Sequence, residues 1–348
     1  MEDQKLALLS DRINENPDDE TAYFCRAKWY QDSNQYEKAL TDYGKVLELN
    51  GQNSKARNNR GTIYYKMKKY TQASLDFNAA LELDGSYSYA YNNRGNVHLK
   101  VKNFEEAWYD FNQAISLDKD CLNAYVNRGR LYTMIGECRL AIQDLDYALQ
   151  LNPQSPLTYI NRGHAYARMQ QNYSALNDYN KVVELYPHVA YGYIYRGNLL
   201  KELKRYNLAL TDLNQGLEMD DGNAFAYLSR GELHFKIREY KKALWDYNAA
   251  IKINKRENCI YEGPSYAKPY YYRGNLYQVL KKYYFALFDY GKAIELDGSC
   301  AEAYQSRSRL HMEMSQIEKA EQDRSIAKEL IMQNALNSKK MHQFCVPC

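Results

Sequence analysis

Apolar side chains recur at steps of three, four and seven residues along most of the chain, and the stretch from Ser88 to Cys121 shows the pattern best. In its first half Ala90, Tyr91, Val97, His98 and Val101 fall on one helical face; in its second half Phe104, Ala107, Trp108, Phe111, Ala114 and Ile115 do the same. The spacing predicts two short helices. Neither is long enough to hold together alone in water, so each must bury its stripe on its partner and on the next unit. Gly95 and Ala107 are small, which suits a close crossing of the two helices.

Near-copies of this 34-residue unit fill the sequence. Gly95 returns as Gly61, Gly129, Gly163, Gly197, Gly231 and Gly274, with Ala27 and Ser308 in the outermost units. Ala107 has a counterpart in every unit, from Ala39 to Ala320. Arg94 and Asp110 also recur nine times, from Arg26 and Asp42 to Arg307 and Asp323. The step is 34 throughout, except for 43 between Arg230 and Arg273. Such periodicity implies an all-α solenoid of nine helix pairs.

On these residues the unit resembles the tetratricopeptide repeat (TPR): Tyr91, Gly95, Ala107, Phe111 and Ala114 match its signature, and Pro153 and Pro187 stand where that family often places a proline. The resemblance covers roughly residues 20 to 333. It implies a right-handed superhelix with the first helix of each pair on the concave side. It implies protein binding without naming a partner.

The repeat sets the domain organisation. Residues 1–19 are expected to form a capping helix with Leu6, Leu9 and Ile13 on one face, 20–336 the solenoid, and 337–348 a flexible tail. An insertion near 254–266, marked by Asn254 and Gly263-Pro264, reads as a loop that is either a spacer or part of a binding surface. In the ninth unit Arg324 replaces the Phe111 position and Ser308 the glycine, as a solvent-facing terminal helix requires.

Composition narrows the function. A mean hydropathy of −0.72 is low for a large core, but 36 tyrosines supply rings that pack while their hydroxyls reach water. A net charge of +3 over 348 residues gives no reason to expect a nucleic-acid partner. No segment approaches the roughly 18 apolar residues of a membrane span. The acidic start is unlike a secretory signal, and seven cysteines without a pairing pattern suit reduced thiols in the cytoplasm.

Two sets of columns bear on chemistry. Arg94, Asp110 and their equivalents read as ion pairs that fix helix register, because each arginine has its own counter-charge. The resemblance places Tyr89, Asn92, Asn93, Asn96, Leu99 and Lys100 on the inner wall. Asn93 is matched by Asn59, Asn127 and Asn161, a row similar to the asparagine ladder in the TPR region of O-GlcNAc transferase. An amide both donates and accepts, so such a row suits a peptide backbone of any sequence.

Along the same face Lys66, Lys100, Arg130 and Arg168 give way to Tyr191, Tyr195 and Tyr271, with Glu202 and Glu232 appearing. The expected ligand is therefore an extended peptide or partner helix, acidic at one end and aromatic or apolar at the other. The chain reads as a non-enzymatic scaffold or adaptor, with no catalytic residue, metal or cofactor. A chaperone carboxylate clamp is incomplete here: Asn96 and Asn127 fill two of its places, while Val126, Leu157 and Asn161 stand near where basic residues are wanted. A co-chaperone, a substrate-targeting subunit of an enzyme complex and an RNA-binding helical repeat are the alternatives. His98, His234 and His311 share a column with tyrosines and read as packing. Cys345 and Cys348, with His342, suggest a metal or redox pair or a prenylation box only weakly.

Overall fold

The computed structural model describes the backbone of residues 2–256 and 266–344, and side chains over 4–254 and 266–333. Among the described residues every regular element is a helix, and nine pairs follow one leading helix. The leading helix is α1 (Glu2–Glu15). The pairs are α2 (Glu20–Asp32) with α3 (Tyr36–Leu49), α4 (Ser54–Lys66) with α5 (Tyr70–Leu83), α6 (Ser88–Lys100) with α7 (Phe104–Leu117), and α8 (Leu122–Ile135) with α9 (Cys138–Leu151). They continue as α10 (Pro156–Arg168) with α11 (Asn172–Leu185), α12 (Ala190–Glu202) with α13 (Tyr206–Met219), and α14 (Ala224–Lys236) with α15 (Tyr240–Arg256). The last are α16 (Ala267–Val279) with α17 (Tyr283–Leu296) and α18 (Ala301–Glu313) with α19 (Ile317–Phe344). Two compact units, Met1–Asn161 and Arg162–Cys348, divide the chain inside α10.

Each pair is built the same way. Its first helix ends in a residue with positive φ at one fixed position: Asn34, Lys68, Lys102, Gln170, Lys204, Arg238, Lys281 and Ser315, with Gly136 in the remaining pair. Around Lys102 the backbone forms the reciprocal helix-ending bonds, Asn103 N–H to His98 C=O at 2.8 Å and Lys102 N–H to Leu99 C=O at 3.3 Å. That left-handed residue turns the chain sharply into the second helix. Five second helices stop at an Asn or Asp whose side chain takes the N–H two residues on, as Asp84 does from Ser86 and Asn50 from Gln52, both at 3.0 Å, whereas α11 stops at Tyr186.

The cores run through the pairs. In the first unit Tyr43, Phe77, Phe111 and Leu145 occupy one position of successive second helices and are essentially sealed; Leu213, Tyr247 and Tyr290 do so in the second unit. Gly95 passes so close to Phe111 that an added Cβ would lie 2.7 Å from the ring. All nine Arg–Asp pairs form as two-point bridges, for example Arg94 to Asp110 at 2.7 and 2.9 Å and Arg273 to Asp289 at 2.7 Å twice. Arg26, Arg94, Arg128, Arg196, Arg230, Arg273 and Arg307 also sit over tyrosine rings three residues earlier, as Arg94 does over Tyr91 at 5.4 Å. Five of them reach back to an asparagine of the preceding pair, such as Arg94 to Asn78 at 2.8 Å and Arg128 to Asn112.

The ends bear on the sequence reading. Leu9 and Ile13 of α1 are buried against Ala22 and Tyr23. In the last pair Arg324 is exposed, and buried Ser308 donates to Ala320 C=O at 2.6 Å in place of a glycine contact. α19 runs on to Phe344, so the helix extends into the residues expected to form the tail. Cys345 and Cys348 lie outside the described residues, as does most of the expected insertion loop.

Candidate functional site

In the first unit the asparagines of the first helices bond to one another. Asn58 Nδ2 donates to Asn59 Oδ1 at 3.3 Å, and Asn92 Nδ2 to Asn93 Oδ1 at 3.3 Å. Between pairs, Asn93 Nδ2 donates to Asn58 Oδ1 and Asn127 Nδ2 to Asn92 Oδ1, both at 2.9 Å. Asn59 Nδ2 donates to the Tyr43 hydroxyl at 3.2 Å, which roots the chain of amides in the core. Each rung therefore needs two adjacent asparagines per helix.

Two of the expected groove residues, Asn92 and Asn161, lie back from the surface in this arrangement. Asn92 is only 4% exposed because its amide is a rung between neighbours. Asn161 is 7% exposed, and its Nδ2 has no hydrogen-bond partner. The cause is visible in the sequence: the residue 35 positions before Asn161 is Val126, whereas the residues 35 before Asn93 and Asn127 are Asn58 and Asn92. The ladder ends where its acceptor is replaced by a methyl-bearing side chain.

Asn59, Asn93, Asn96 and Asn127 are half-buried and reach the surface. An amide has two N–H groups and two lone pairs. Asn127 Oδ1 accepts no bond among the described residues, and Asn59 uses one N–H and one lone pair. Beside them Lys100 and Arg130 lie near enough to repel: burial first, then the Arg130 charge, push the Lys100 ammonium down to about 8. Lys66 is exposed over the Tyr36 ring at 5.7 Å.

The second unit holds a concavity of about 880 Å³. Its walls include Tyr179, Tyr195, Leu199, Phe225 and Leu228, with His164, Asn198, Glu202, Glu232 and Lys268. His164 Nδ1 and the buried Tyr179 hydroxyl share a hydrogen bond of 2.8 Å, and the Tyr195 ring meets His164 edge-on at 4.5 Å. Tyr195 stacks on Tyr191 at 6.3 Å and tilts against Phe225 at 5.9 Å. Tyr191, Tyr195 and Tyr271 are all half-buried; Tyr271 packs edge-on to Tyr272 at 5.2 Å. Arg168 is exposed on α10.

Lys201, not singled out from the sequence, is a charged member of this wall. Only 2% exposed, it donates to Glu232 at 2.6 Å and lies 3.4 Å from Glu202. Other pairs hold Tyr65, Leu99, Thr133, Ala167 or Phe235 at its position, so the signal was a lone charge in a neutral column. Ser229 donates to Asn198 at 3.1 Å on the same wall.

Among the described residues no group of three or more His, Cys, Asp or Glu is arranged to hold a metal ion. His234 and His311 are buried, with Nδ1 at 2.6 Å from Glu239 and 2.7 Å from Gln316. No described helix is long and apolar enough to cross a membrane.

Comparison with known proteins bears on the fold. Family models described as Tetratricopeptide repeat match residues 54–87, 88–121 and 157–189, and one described as TPR repeat matches 30–68. No curated protein matches significantly. A tetratricopeptide repeat protein from Parabacteroides merdae aligns at 19% identity with a TM-score of 0.57, over 67% of this chain and 93% of that one. The APC/C hetero-tetramer Cut9–Hcn1 contains a chain that aligns at 11% identity with a TM-score of 0.55, over 98% of this chain and 92% of that one. Over residues 30–121 and 157–189 the chain thus carries tetratricopeptide repeats by sequence, and its helix pairs share the fold of solved tetratricopeptide-repeat proteins.

Proposed function

We propose that the chain is a non-enzymatic adaptor that holds an extended peptide or a partner helix on the first-helix faces of its repeats. The coarse reading, a protein–protein interaction scaffold, is what tetratricopeptide repeats suggest. The finer one rests chiefly on the half-buried amides of Asn59, Asn93 and Asn127, which keep hydrogen-bonding capacity after the ladder is made. In this reading they meet the ligand backbone. Lys100 and Arg130 receive acidic side chains, with Lys66 and Arg168 as outlying charges. An ammonium held at about 8 by burial and a neighbouring cation gains most when a carboxylate arrives.

The aromatic end of the ligand is assigned to the second unit. Tyr191, Tyr195 and Phe225 give broad apolar contact, and the His164, Asn198 and Glu202 groups orient it. The affinity comes from many modest contacts on a preformed surface.

The test is display selection of peptides on the intact chain, followed by fluorescence anisotropy with the best binder. Lys100→Ala with Arg130→Ala should weaken binding about tenfold or more and flatten its salt dependence. Tyr195→Ala should weaken it without changing the salt slope. Equal binding by all variants, with helicity intact, would refute the assignment.

A further inference from the structure

Helix α17 is apolar on two faces. One carries Ala286, Tyr290 and Ala293 into the core. The other is a stripe at steps of three and four: Lys281 in the preceding turn, then Tyr284, Phe285, Phe288 and, three turns on, Lys292. Tyr284 is 81% exposed, and Phe285 and Phe288 are each 60% exposed. In α15 the position of Phe288 is held by Trp245, 59% exposed, and the positions of Tyr284 and Phe285 by Lys241 and Lys242. The patch is local: Thr211 in α13 and Gln322 in α19 are the polar residues at the same position on either side.

The charges on this face are lopsided. Lys241, Lys242, Lys281 and Lys282 are all exposed. Asp246 and Asp289 point away, buried in their arginine bridges, and Glu295 is bonded to Lys292 at 2.6 Å. Glu239 is shared between Lys242 at 3.0 Å and His234 at 2.6 Å. The surface thus offers aromatic side chains flanked by the exposed ammonium groups of Lys241, Lys281 and Lys282, with Lys242 paired to Glu239. Lysine is depleted from the centres of protein–protein interfaces. Tyrosine, tryptophan and lysine together are what a membrane–water boundary favours, with rings at headgroup depth and ammonium groups on anionic lipid.

We propose that the outward face of α15 and α17 is a docking surface for an anionic lipid bilayer. Tyr284, Phe285, Phe288 and Trp245 enter the headgroup region while Lys241, Lys242, Lys281 and Lys282 meet the lipid phosphates and carboxylates. Contact is peripheral and reversible, since a few rings and a basic rim give only modest partitioning. It leaves the first-helix faces available for the peptide, so the proposal does not depend on the adaptor reading.

The test is flotation of the full chain with vesicles of phosphatidylcholine alone or mixed with phosphatidylserine. The chain should float with the mixed vesicles, fail to float with the neutral ones, and detach as salt is raised. Each lysine near an anionic surface contributes a factor of about five, so Lys281→Glu with Lys282→Glu should reduce binding by about 25-fold or more. Phe285→Ser with Phe288→Ser should abolish it; these side chains are mostly exposed, and circular dichroism verifies that helicity is kept. No flotation, equal flotation with neutral vesicles, or unchanged flotation of both variants would overturn the proposal. So would a photo-crosslinker at position 288 that captures an acidic protein and no lipid in cell extract.

Discussion

Replacing Gly95 with alanine isolates the close glycine contact on which seven of the nine helix pairs are built. In an exposed helix the change would add about 1 kcal/mol of stability, because glycine is the poorer helix former. Here the new Cβ would lie 2.7 and 2.9 Å from two ring carbons of Phe111 and 3.2 Å from Asp110 Cβ. Phe111 is fully buried and cannot swing aside, and Asp110 is held by Arg94 at 2.7 Å. Forcing a methyl into such a site costs about 1–3 kcal/mol, which offsets the helix term and leaves a net loss of up to about 2 kcal/mol. Gly44 is the control: it lies within α3, and nothing comes within 4 Å of its added Cβ. Gly44→Ala should gain about 1 kcal/mol. Urea unfolding gives the stabilities, and amide exchange over α6 and α7 locates the loss, since repeat arrays need not unfold as one unit. Phe111→Leu added to Gly95→Ala should recover part of the loss, as the flexible Leu145 already faces Gly129. If Gly95→Ala proved as stabilising as Gly44→Ala, the helices would not be meeting through that glycine.

Four further outcomes follow from named contacts. Lys102→Gly should stabilise by about 1 kcal/mol and Gly136→Ala should destabilise by a similar amount, both read by urea midpoint, because the turn residue has φ of 64° and 95° respectively. Asp110→Ala should cost about 3–5 kcal/mol by leaving Arg94 half-buried without its carboxylate. Lys100 is charged below pH 8 in a place that disfavours charge, and its unfolded value is near 10.5. The unfolded chain therefore binds more protons between these values, so stability rises with pH across that window; Lys100→Met should remove the rise in pH-dependent thermal melts. Val126→Asn should extend the amide ladder, giving the Asn161 Nδ2 an acceptor and protecting its side-chain signals from solvent exchange in NMR spectra.

The fold was legible because a helix pair cannot bury its stripes alone, so the 34-residue spacing of Gly95, Ala107, Arg94 and Asp110 carries the stacking with it. The turn was not: Asn34, Lys68, Lys102, Gln170 and Arg238 adopt positive φ without glycine to announce it. Nor was the direction of the amide bonds. Asn93 and Asn92 are neighbours in sequence, yet one is half-buried and the other sealed, because the bond from Asn127 to Asn92 spans 35 residues. Lys201 was hidden by its type, since lysine is seldom buried and its partner Glu232 is one pair away.

In five pairs the arginine that clasps its own pair also grips an asparagine in the pair before it: Asn78 from Arg94, Asn112 from Arg128, Asn180 from Arg196, Asn214 from Arg230, Asn248 from Arg273. Repeats linked this way have a direction. Removing one of these five arginines should loosen the neighbour toward the N-terminus more than the one toward the C-terminus, so damage within either unit should travel upstream.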